Sequence, residues 1–518
     1  MKMHKHERVQ ESAEPHARPR LKRVGRIVGI VLAAVLGAGA VFAGYLVVCA
    51  WGFTPSRQVV VEKVEPIAPR AGFAERLSRA IRFETISREE EGATNAQAFV
   101  DLAKYLETAF PRVHAACERE ILEGGTILFR LPSKEPAAAP VLLMSHLDVV
   151  PVEKATETGW THPPFSGAIA DGFIWGRGAL DVKAGALGLL EAAEALLESG
   201  FVPRCDIYFA FGHDEELGGT AGNARLARML AERGVRFRFV LDEGGTIAEG
   251  ILSGIDRPIA FVGIAEKGLA TIRITTHGSG GHASMPVAPS AVGILARILV
   301  DLEANPSPSK IDGALETMLD HLAPEMGGLN RLVAANHRLL GPVILAGFSQ
   351  VPTLDAMTRT TTALTRLEAG EKSNVLPQTA EAFVHLRLIP GDDSAAALRR
   401  IEARVRALGF DEKAAKVAIE PGSVDPSAIS AIDSAEFASL RRSISEIYPD
   451  AIVAPGLSMV ATDSRHYAPI SDAIYRFLPL RLTREDLSRI HGTDERIRVE
   501  DYERMIGFLA RLIENLAR

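Results

Sequence analysis

Short apolar runs that end in histidine or acidic residues recur along this 518-residue chain. Three of them, VLLMSH at 141–146, IYFAFGHDEE at 207–216 and RFRFVLDE at 236–243, are separated by segments with helical spacing of apolar residues. Such runs predict buried strands, and their alternation with helices predicts an α/β domain with a mainly parallel sheet and helices on both faces. Ligands bind such sheets beyond the carboxyl ends of the strands, so we expect functional residues there.

The pattern changes near residue 267, where LATIRITTHG alternates apolar and polar residues. This alternation predicts a half-exposed antiparallel strand. Further strand-like and helix-like segments follow, except at 305–365, which has no readable pattern. We therefore predict a smaller inserted α+β domain of βαββαβ-like order at 267–425. The larger α/β domain then consists of 71–266 and 426–518.

The N-terminal region differs from the rest in charge and hydropathy. Residues 27–53 contain no charged side chain, and this uncharged segment is long enough to cross a bilayer. We therefore predict a transmembrane helix at 27–51. The tail at 1–26 has eight basic and three acidic side chains, giving +5. The positive-inside rule then predicts a cytoplasmic N-terminus, a linker at 52–70 and an extracytoplasmic folded region. A cleaved signal peptide is the alternative, although its apolar region usually has about 7–15 residues.

Charge and cysteine content narrow the function. The chain has 58 basic and 65 acidic residues and a formal net charge of −7, which argues against a nucleic-acid partner. Its three cysteines, Cys49, Cys117 and Cys205, form neither a disulfide framework nor a zinc-binding pattern. Any metal would therefore be held by histidine and carboxylate side chains.

Five motifs place histidine or acidic residues at predicted strand ends or turns. Singly, each has an ordinary explanation as a turn, a helix N-cap or a solvated loop. Together they bring two imidazoles and several carboxylates to one domain, a set that suits zinc, with cobalt or manganese as substitutes. A carboxylate shared by two metals is typical of two-metal hydrolases. The residues are His146 and Asp148 in SHLDVV, Asp181 in GRGALDVKAG, Glu215 and Glu216 in HDEELGG, Asp242 in VLDEGG and His491 in IHGTDERI.

Four segments together resemble the M20 metallopeptidases: SHLDVVPV, HPPFSGAIADGFIWGRGALDVKAGALGLLEA, FAFGHDEELGGTAGNA and GSGGHASMP. The resemblance extends from about residue 72 to the C-terminus and is strongest to the carboxypeptidase S and N-acyl amino acid synthase/hydrolase branch. Residues 305–365 match least well and carry no functional transfer. The resemblance implies two zinc ions per chain. The implied ligands are His146 for one ion, His491 for the other, Asp181 as the bridge, and Glu216 and Asp242.

Further roles follow from the same resemblance. Glu215 is expected to be the general base, and the Asp148 carboxylate to orient His146. His282, in GGHASMP of the inserted domain, is expected to stabilise the oxyanion. In the family this histidine often comes from a partner subunit, so the inserted domain is expected to be of a lid or dimerisation type. Asn374 in KSNVLP and Arg387 in HLRLIPG are expected to hold a substrate carboxylate. A structural turn for Asn374 and a solvated strand face for Arg387 are the alternatives.

The expected activity is zinc-dependent hydrolysis of an amide bond next to a free carboxylate, as in a Gly-Xaa carboxypeptidase or dipeptidase. An N-acyl amino acid amidohydrolase without peptidase activity is the alternative, because the same motifs serve both. A non-catalytic binding protein with an M20 shell is a remote third, and the complete ligand set with Glu215 counts against it. The expected partners are such a substrate, the membrane through the N-terminal helix, and a second copy if the chain forms a homodimer.

Overall fold

The computed structural model describes residues 18–62, 64–88, 90, 94–136, 138–251 and 254–517, with side chains from residue 26 onwards. It divides into two compact units, the first up to Pro55 and the second from Ser56. The first unit contains helix α1 (Arg18–Gly52). Residues 1–17 of the predicted basic tail lie outside the described residues.

Helix α1 contains the predicted transmembrane segment. Within the described residues, it is the one helix long and apolar enough to cross a membrane, over the 27 residues Arg26–Gly52. A helix rises about 1.5 Å per residue, so this length exceeds the roughly 30 Å of a bilayer core. The structure thus provides a candidate span or signal anchor.

The described residues of the second unit form short strands, numbered here in chain order. They are β1 (Glu118–Ile121), β2 (Ile127–Leu131), β3 (Val141–His146), β4 (Ile169–Ala170), β5 (Phe173–Trp175), β6 (Ile207–Gly212), β7 (Phe239–Asp242), β8 (Ile247–Ala248), β9 (Ile259–Glu266), β10 (Gly268–His277), β11 (Gly281–His282), β12 (Thr361–Ala369), β13 (Val375–Leu376), β14 (Thr379–Leu388), β15 (Ala415–Ile419), β16 (Ile452–Ser458), β17 (Ile474–Arg476), β18 (Arg481–Leu482) and β19 (Arg496–Arg498).

The helices of the same unit are numbered in the same way. They are α2 (Phe73–Ile81), α3 (Ala96–Ala109), α4 (Pro111–Ala116), α5 (Lys183–Glu198), α6 (Asn223–Glu232), α7 (Ala291–Ala304), α8 (Gly313–Leu322), α9 (Gly328–Ala335), α10 (His337–Phe348), α11 (Pro352–Ala356), α12 (Ser394–Ala407), α13 (Ala435–Ile447) and α14 (Val499–Ala517).

The large sheet has the strand order β1-β2-β6-β3-β7-β17-β9-β8-β18, with β16 also paired to β9. Its centre, β6-β3-β7-β17, is parallel. The pairs β1-β2, β2-β6, β17-β9 and β8-β9 are antiparallel. The sheet is therefore mixed rather than mainly parallel, because antiparallel strands extend the parallel centre on both sides.

Helices cover both faces of this sheet, as the sequence predicts. Along β3, Val141 and Leu143 pack into the cluster that contains the apolar residues of α5 and α14. The alternate residues Leu142 and Met144 pack into the cluster that contains α6. Successive strand residues point to opposite faces, so a fully apolar strand such as β3 requires a cover on each side.

A second sheet, β12-β14-β10-β15, is antiparallel throughout. The chain passes from the large sheet to this one at Lys267, between β9 and β10. Ala270, Ile272 and Ile274 of β10 pack against buried residues of α7 and α12. The strands of this sheet and the helices that cover it follow the chain order β10, α7, β12, β14, α12 and β15, with α8–α11 between α7 and β12. A separate inserted domain stays a prediction.

Helix α8 departs from the expected division of the chain. It lies within 267–425, yet its side chains Leu315 and Leu319 pack with Ile452 of β16 and Ile259 of β9 in the large sheet. Apolar periodicity predicts that a helix buries one face, but it does not specify the sheet that covers that face. Part of the segment 305–365, for which the sequence predicts no structure, therefore packs in the core beside the large sheet.

The segment from Ser56 onwards is part of the second unit and bonds to its folded body. The side-chain amide of Gln58 bonds to the backbone of Val453 at 2.8 and 3.2 Å. Arg70 lies 4.0 Å from Glu191 and 3.7 Å from Glu194. The predicted linker at 52–70 is thus held to the folded body from residue 56 onwards, while the domain boundaries themselves stay predictions.

Candidate metal centre and active site

His146 ends strand β3, and its buried ring points one nitrogen at a group of acids. Nδ1 lies 2.9 Å from the Asp148 carbonyl oxygen and 3.4 Å from Asp148 Oδ1. Because Nδ1 can donate to that carbonyl, Nε2 is left with a lone pair for a ligand. The Asp148 carboxylate itself accepts the backbone N–H groups of Glu215 and Glu216, at 3.2 Å each. Asp148 therefore joins the end of β3 to the acid pair that follows β6.

Asp181 lies between the two histidines. Its Oδ1 is 3.0 Å from His146 Nε2, and its Oδ2 is 2.9 Å from His491 Nε2. These histidines are 345 positions apart in the chain. Each oxygen of one carboxylate thus faces one imidazole, which is the arrangement that a bridge between two cations requires.

Glu216 stands beside His491 on the far side of this bridge. Its Oε2 lies 3.3 Å from His491 Nε2. Its Oε1 is buried and has no hydrogen-bond partner among the described residues. A buried carboxylate oxygen without a partner is costly unless something else satisfies it, and a cation would do so.

Glu243, which the sequence analysis did not single out, occupies the position expected for Asp242. Glu243 Oε1 lies 3.1 Å from His146 Nε2. The two oxygens of Asp242 instead accept backbone N–H groups, from Glu243 at 2.9 Å and from Ser464 at 2.8 Å. The structure brings Glu243, and not Asp242, to the predicted metal-binding group.

Glu215 also faces this group. Its Oε2 lies 3.9 Å from His146 Nε2, and it begins a short 3₁₀ turn, Glu215–Leu217, directly after β6. Two overlapping sets of ligand atoms each lie within 4.8 Å of one another: His146 with Glu215 and Glu243, and His146 with Asp181 and Glu216. Imidazole nitrogen with carboxylate oxygen is a donor set that fits zinc and similar divalent ions.

The electrostatics of the cluster favour bound cations. Burial raises the pKa of Glu215 well above its usual range, and burial with the nearby Asp181 charge raises the pKa of Glu243 to about 7. Burial alone would raise the pKa of Asp181 too, but hydrogen bonds from His146 and His491 lower it. The bond with Asp181 in turn raises the pKa of His491 to about 10. Carboxylates outnumber imidazoles here, and divalent ions would offset the excess charge.

A buried ion pair that the sequence analysis missed joins the loop ending at Asp181 to the loop that carries His491. Arg177 Nη1 lies 2.6 Å from Glu495 Oε2. The other oxygen of Glu495 accepts three backbone N–H groups of the loop ending at Asp181, at 2.7–3.1 Å. Arg177 Nη2 donates to the carbonyl oxygens of His491 and the next residue, at 3.1 and 3.2 Å. No local pattern predicts a pair separated by 318 positions.

The predicted oxyanion donor is placed apart from this cluster. His282 is exposed on β11, which pairs with β13, and the neighbouring Ala283 N–H donates to the Asn374 carbonyl at 3.0 Å. His282 Nδ1 lies 2.7 Å from the Ser284 hydroxyl and accepts the Ser284 N–H at 3.2 Å. His282 and Asn374 are thus together on one ribbon. Within the described part of the chain, no hydrogen bond or ion pair joins His282 to the acid cluster.

Arg387 lies on β14 in a group of cations. It makes no hydrogen bond or ion pair among the described residues. Burial, and then the positive charge of Arg465, lower its pKa. Arg465 follows β16 and donates to the carbonyl of Gly218 at 2.8 Å, three residues after Glu215. The sequence analysis missed Arg465, which links the cationic group to the acid cluster.

Histidine and carboxylate side chains gathered at the strand ends of an α/β sheet define a metal-dependent class of hydrolase. Comparison with known families identifies the chain more narrowly. It belongs to the M20 metallopeptidases, since residues 142–515 match Peptidase family M20/M25/M40.

Relatives with two kinds of activity are similar to most of the chain. A probable carboxypeptidase S-like 2 of Dictyostelium discoideum is 37% identical over 85% of this chain and 84% of its own. The N-fatty-acyl-amino acid synthase/hydrolase PM20D1 of Xenopus tropicalis is 37% identical over 86% of each chain. Carboxypeptidase S of Saccharomyces cerevisiae is 28% identical over 90% of each.

A solved structure has the same fold at low sequence identity. The M20 family metallo-carboxypeptidase Sso-CP2 of Sulfolobus solfataricus superposes with a TM-score of 0.62 at 17% identity, covering 86% of this chain and 99% of its own. The chain is therefore an M20 hydrolase by sequence, and it shares the fold of this solved structure.

Proposed function

We propose that the protein is a dinuclear metallohydrolase that cleaves an amide bond next to a free carboxylate. The observation that carries the proposal is the Asp181 carboxylate, whose two oxygens face one imidazole each. Zinc is the metal that this donor set favours, with cobalt or manganese as substitutes. Two bound cations would supply Lewis-acid polarisation of the scissile carbonyl and a more acidic water. The proposed ligands are His146, Asp181, Glu216, Glu243 and His491, with Glu243 replacing the predicted Asp242.

Glu215 is the proposed general base. Its side chain faces His146, and its backbone N–H donates to the Asp148 carboxylate, so the backbone is held while the Glu215 carboxylate stays available to a water. In this role it takes a proton from the attacking water and returns it to the leaving nitrogen. Asp148 acts as a positioning residue, through the backbone of both acids of the pair and through its own carbonyl on His146 Nδ1.

Arg387 is the proposed anchor for the substrate carboxylate. A half-buried guanidinium without a partner, beside a second guanidinium at Arg465, favours an anion between or beside them. If Arg387 binds the substrate carboxylate, the amide bond that is cleaved lies next to a free acid group. Asn374, on the ribbon that carries His282, would add a polar contact to the same group.

Two substrate classes satisfy this chemistry: short peptides cleaved at their C-terminus and N-acyl amino acids. Both present an amide bond beside a free carboxylate. Relatives of this chain carry names of both kinds at equal identity, 37%. Assays of one preparation with a Gly-Xaa dipeptide and with an N-fatty-acyl amino acid show which of the two classes the protein hydrolyses.

We expect the metal-loaded protein to hydrolyse a Gly-Xaa dipeptide or an N-fatty-acyl amino acid at least about 100-fold faster than the matching C-terminal amide, because only the free acid can pair with Arg387. Arg387→Met should raise KM for the acid substrate and remove most of this preference. The matched control is Arg366→Met, which alters an exposed arginine on the neighbouring strand β12 that pairs with Glu368. Equal turnover of acid and amide by the unaltered protein would contradict the carboxylate requirement.

Helix α1 is the proposed single-pass membrane anchor, with the N-terminus cytoplasmic and the folded unit on the other side. Its length and composition, together with the net charge of +5 predicted for the preceding tail, support this orientation. Among the described residues, the His282 side chain is exposed and bonds only to Ser284, which supports either closure of the inserted domain over substrate or donation of His282 within a homodimer.

A further inference from the structure

Helix α10 is apolar on both sides, although only one side is packed. Ile344 is buried, and Phe348 packs against the core cluster that contains α8 and β16. On the opposite side, Leu339, Val343 and Ala346 are exposed, with Val343 60% accessible. Their spacing of three and four residues places them on one face. A helix that is apolar all round normally has a cover on every side.

Flanking residues extend this surface. Leu329 of α9 is 73% accessible, and Pro342 and Val351 are also exposed. We call Leu329, Leu339, Pro342, Val343, Ala346 and Val351 the apolar patch. Single exposed apolar residues are ordinary, but a group from one helix and its immediate neighbours indicates an interaction surface.

The charge of this region is opposite to that of the whole chain. From Met326 to Leu354 there is no acidic residue and there are two arginines, Arg331 and Arg338, whereas the chain as a whole has a formal net charge of −7. The Arg338 side chain is largely exposed and lies 3.0 Å from Glu316. Apolar side chains and arginines on a segment without acidic residues match the interface of a bilayer with anionic lipids.

The chain enters the second unit beside this region. Arg57 Nη2 lies 3.1 Å from Asp320 Oδ2, and the other oxygen of Asp320 is 3.8 Å from Nε2 of His337, the first residue of α10. The Ser56 hydroxyl donates to Glu325, shortly before α9. Only four residues lie between Gly52, the end of α1, and Arg57, and the five steps along the chain span at most about 18 Å. The chain connection between the end of α1 and the contacts near α10 is therefore short.

We propose that the apolar patch docks on the surface of the bilayer that holds α1. The folded unit is then fixed against the membrane at two places, the anchor and α10, instead of moving freely on a tether. The proposal gives a role to part of the 305–365 stretch, for which neither the motifs nor the acid cluster provides one. It rests on the membrane anchoring proposed above and is independent of the catalytic proposal.

The test separates docking from anchoring in the full-length protein. A site-specific protease sequence is placed between Thr54 and Pro55, the protein is reconstituted in phosphatidylcholine vesicles containing phosphatidylglycerol, and the anchor is then cut. We expect most of the released unit to remain with the vesicles on sedimentation. Val343→Asp should lower its vesicle partition coefficient by about tenfold or more. Val202→Asp, at an equally exposed valine 66% accessible in the loop after α5, should not.

Metal content and hydrolytic activity, equal in the two variants, show that both are folded. Release of the unaltered unit into the supernatant after cutting would overturn docking while leaving the anchor intact. Equal retention of the unaltered and Val343→Asp units would also overturn it. If the patch covers a second copy instead, the released unit elutes as a dimer that Val343→Asp converts to a monomer. Loss of the uncut chain from the vesicles would overturn anchoring and docking together.

Discussion

Replacing Glu215 with glutamine is expected to lower kcat by about 10³–10⁴-fold while the metal content stays near that of the unaltered protein. The amide cannot take a proton from water, and general base catalysis contributes roughly this much to rate. The substitution preserves the side-chain length and the backbone N–H that Asp148 accepts. Steady-state kinetics on a saturating substrate, with elemental analysis of the same preparation, measure the two quantities.

The neighbouring acid supplies the control. Glu216→Gln removes a carboxylate whose Oε2 lies 3.3 Å from His491 Nε2, and whose other oxygen has no partner among the described residues. We expect this variant to lose metal as well as activity. Loss of metal from Glu215→Gln with retention in Glu216→Gln would contradict the assignment of base and ligand within the pair.

His282→Ala is expected to lower kcat by about 10²–10³-fold with metal content and folding unchanged, which is the usual loss for one oxyanion donor. Because His282 Nδ1 accepts the Ser284 N–H, the neutral ring carries its proton on Nε2, where it can be donated to an oxyanion. This variant retains every proposed ligand, so the loss should fall on kcat and not on metal binding. A kcat within threefold of the unaltered protein would contradict the role.

Mixing two inactive variants distinguishes the routes by which His282 reaches the site. If a partner donates it, a heterodimer of His282→Ala and Glu215→Gln contains one complete site, and activity returns on mixing. If the inserted domain closes over its own site, mixing restores nothing. The exposed position of His282 on β11 is consistent with movement of either kind.

The sequence predicts which strand ends carry the site, because buried strands and their terminal polar residues are local patterns. His146, Asp181, Glu216 and His491 lie close together in the structure, while their roles as metal ligands stay predictions. The choice between Asp242 and Glu243 is harder, since adjacent residues at a strand end point to opposite sides. Which of the two side chains faces the metal-binding group depends on where β7 ends and on Ser464, whose backbone N–H donates to Asp242.

Long-range features were beyond prediction from local patterns. Arg177 and Glu495 have no sequence signal that joins them, yet they connect the loop ending at Asp181 with the loop that carries His491. The sheet is mixed because β1 and β2 pair antiparallel at one side, and strand direction is a property of the connections rather than of strand composition. The position of α8 was also not predicted, because its apolar face could pack on either sheet. In the structure it packs on β16.

The number of divalent ions per chain tests the central claim most directly. After chelation and reloading with zinc, we expect two ions per chain in the unaltered protein, about one in Glu243→Gln and two in Asp242→Asn. Asp242→Asn should still be less stable, by about 1–3 kcal/mol, because an amide replaces one acceptor of a buried backbone N–H. One ion per chain at saturation in the unaltered protein would contradict a dinuclear site bridged by Asp181. Loss of an ion from Asp242→Asn and not from Glu243→Gln would contradict Glu243 as a ligand.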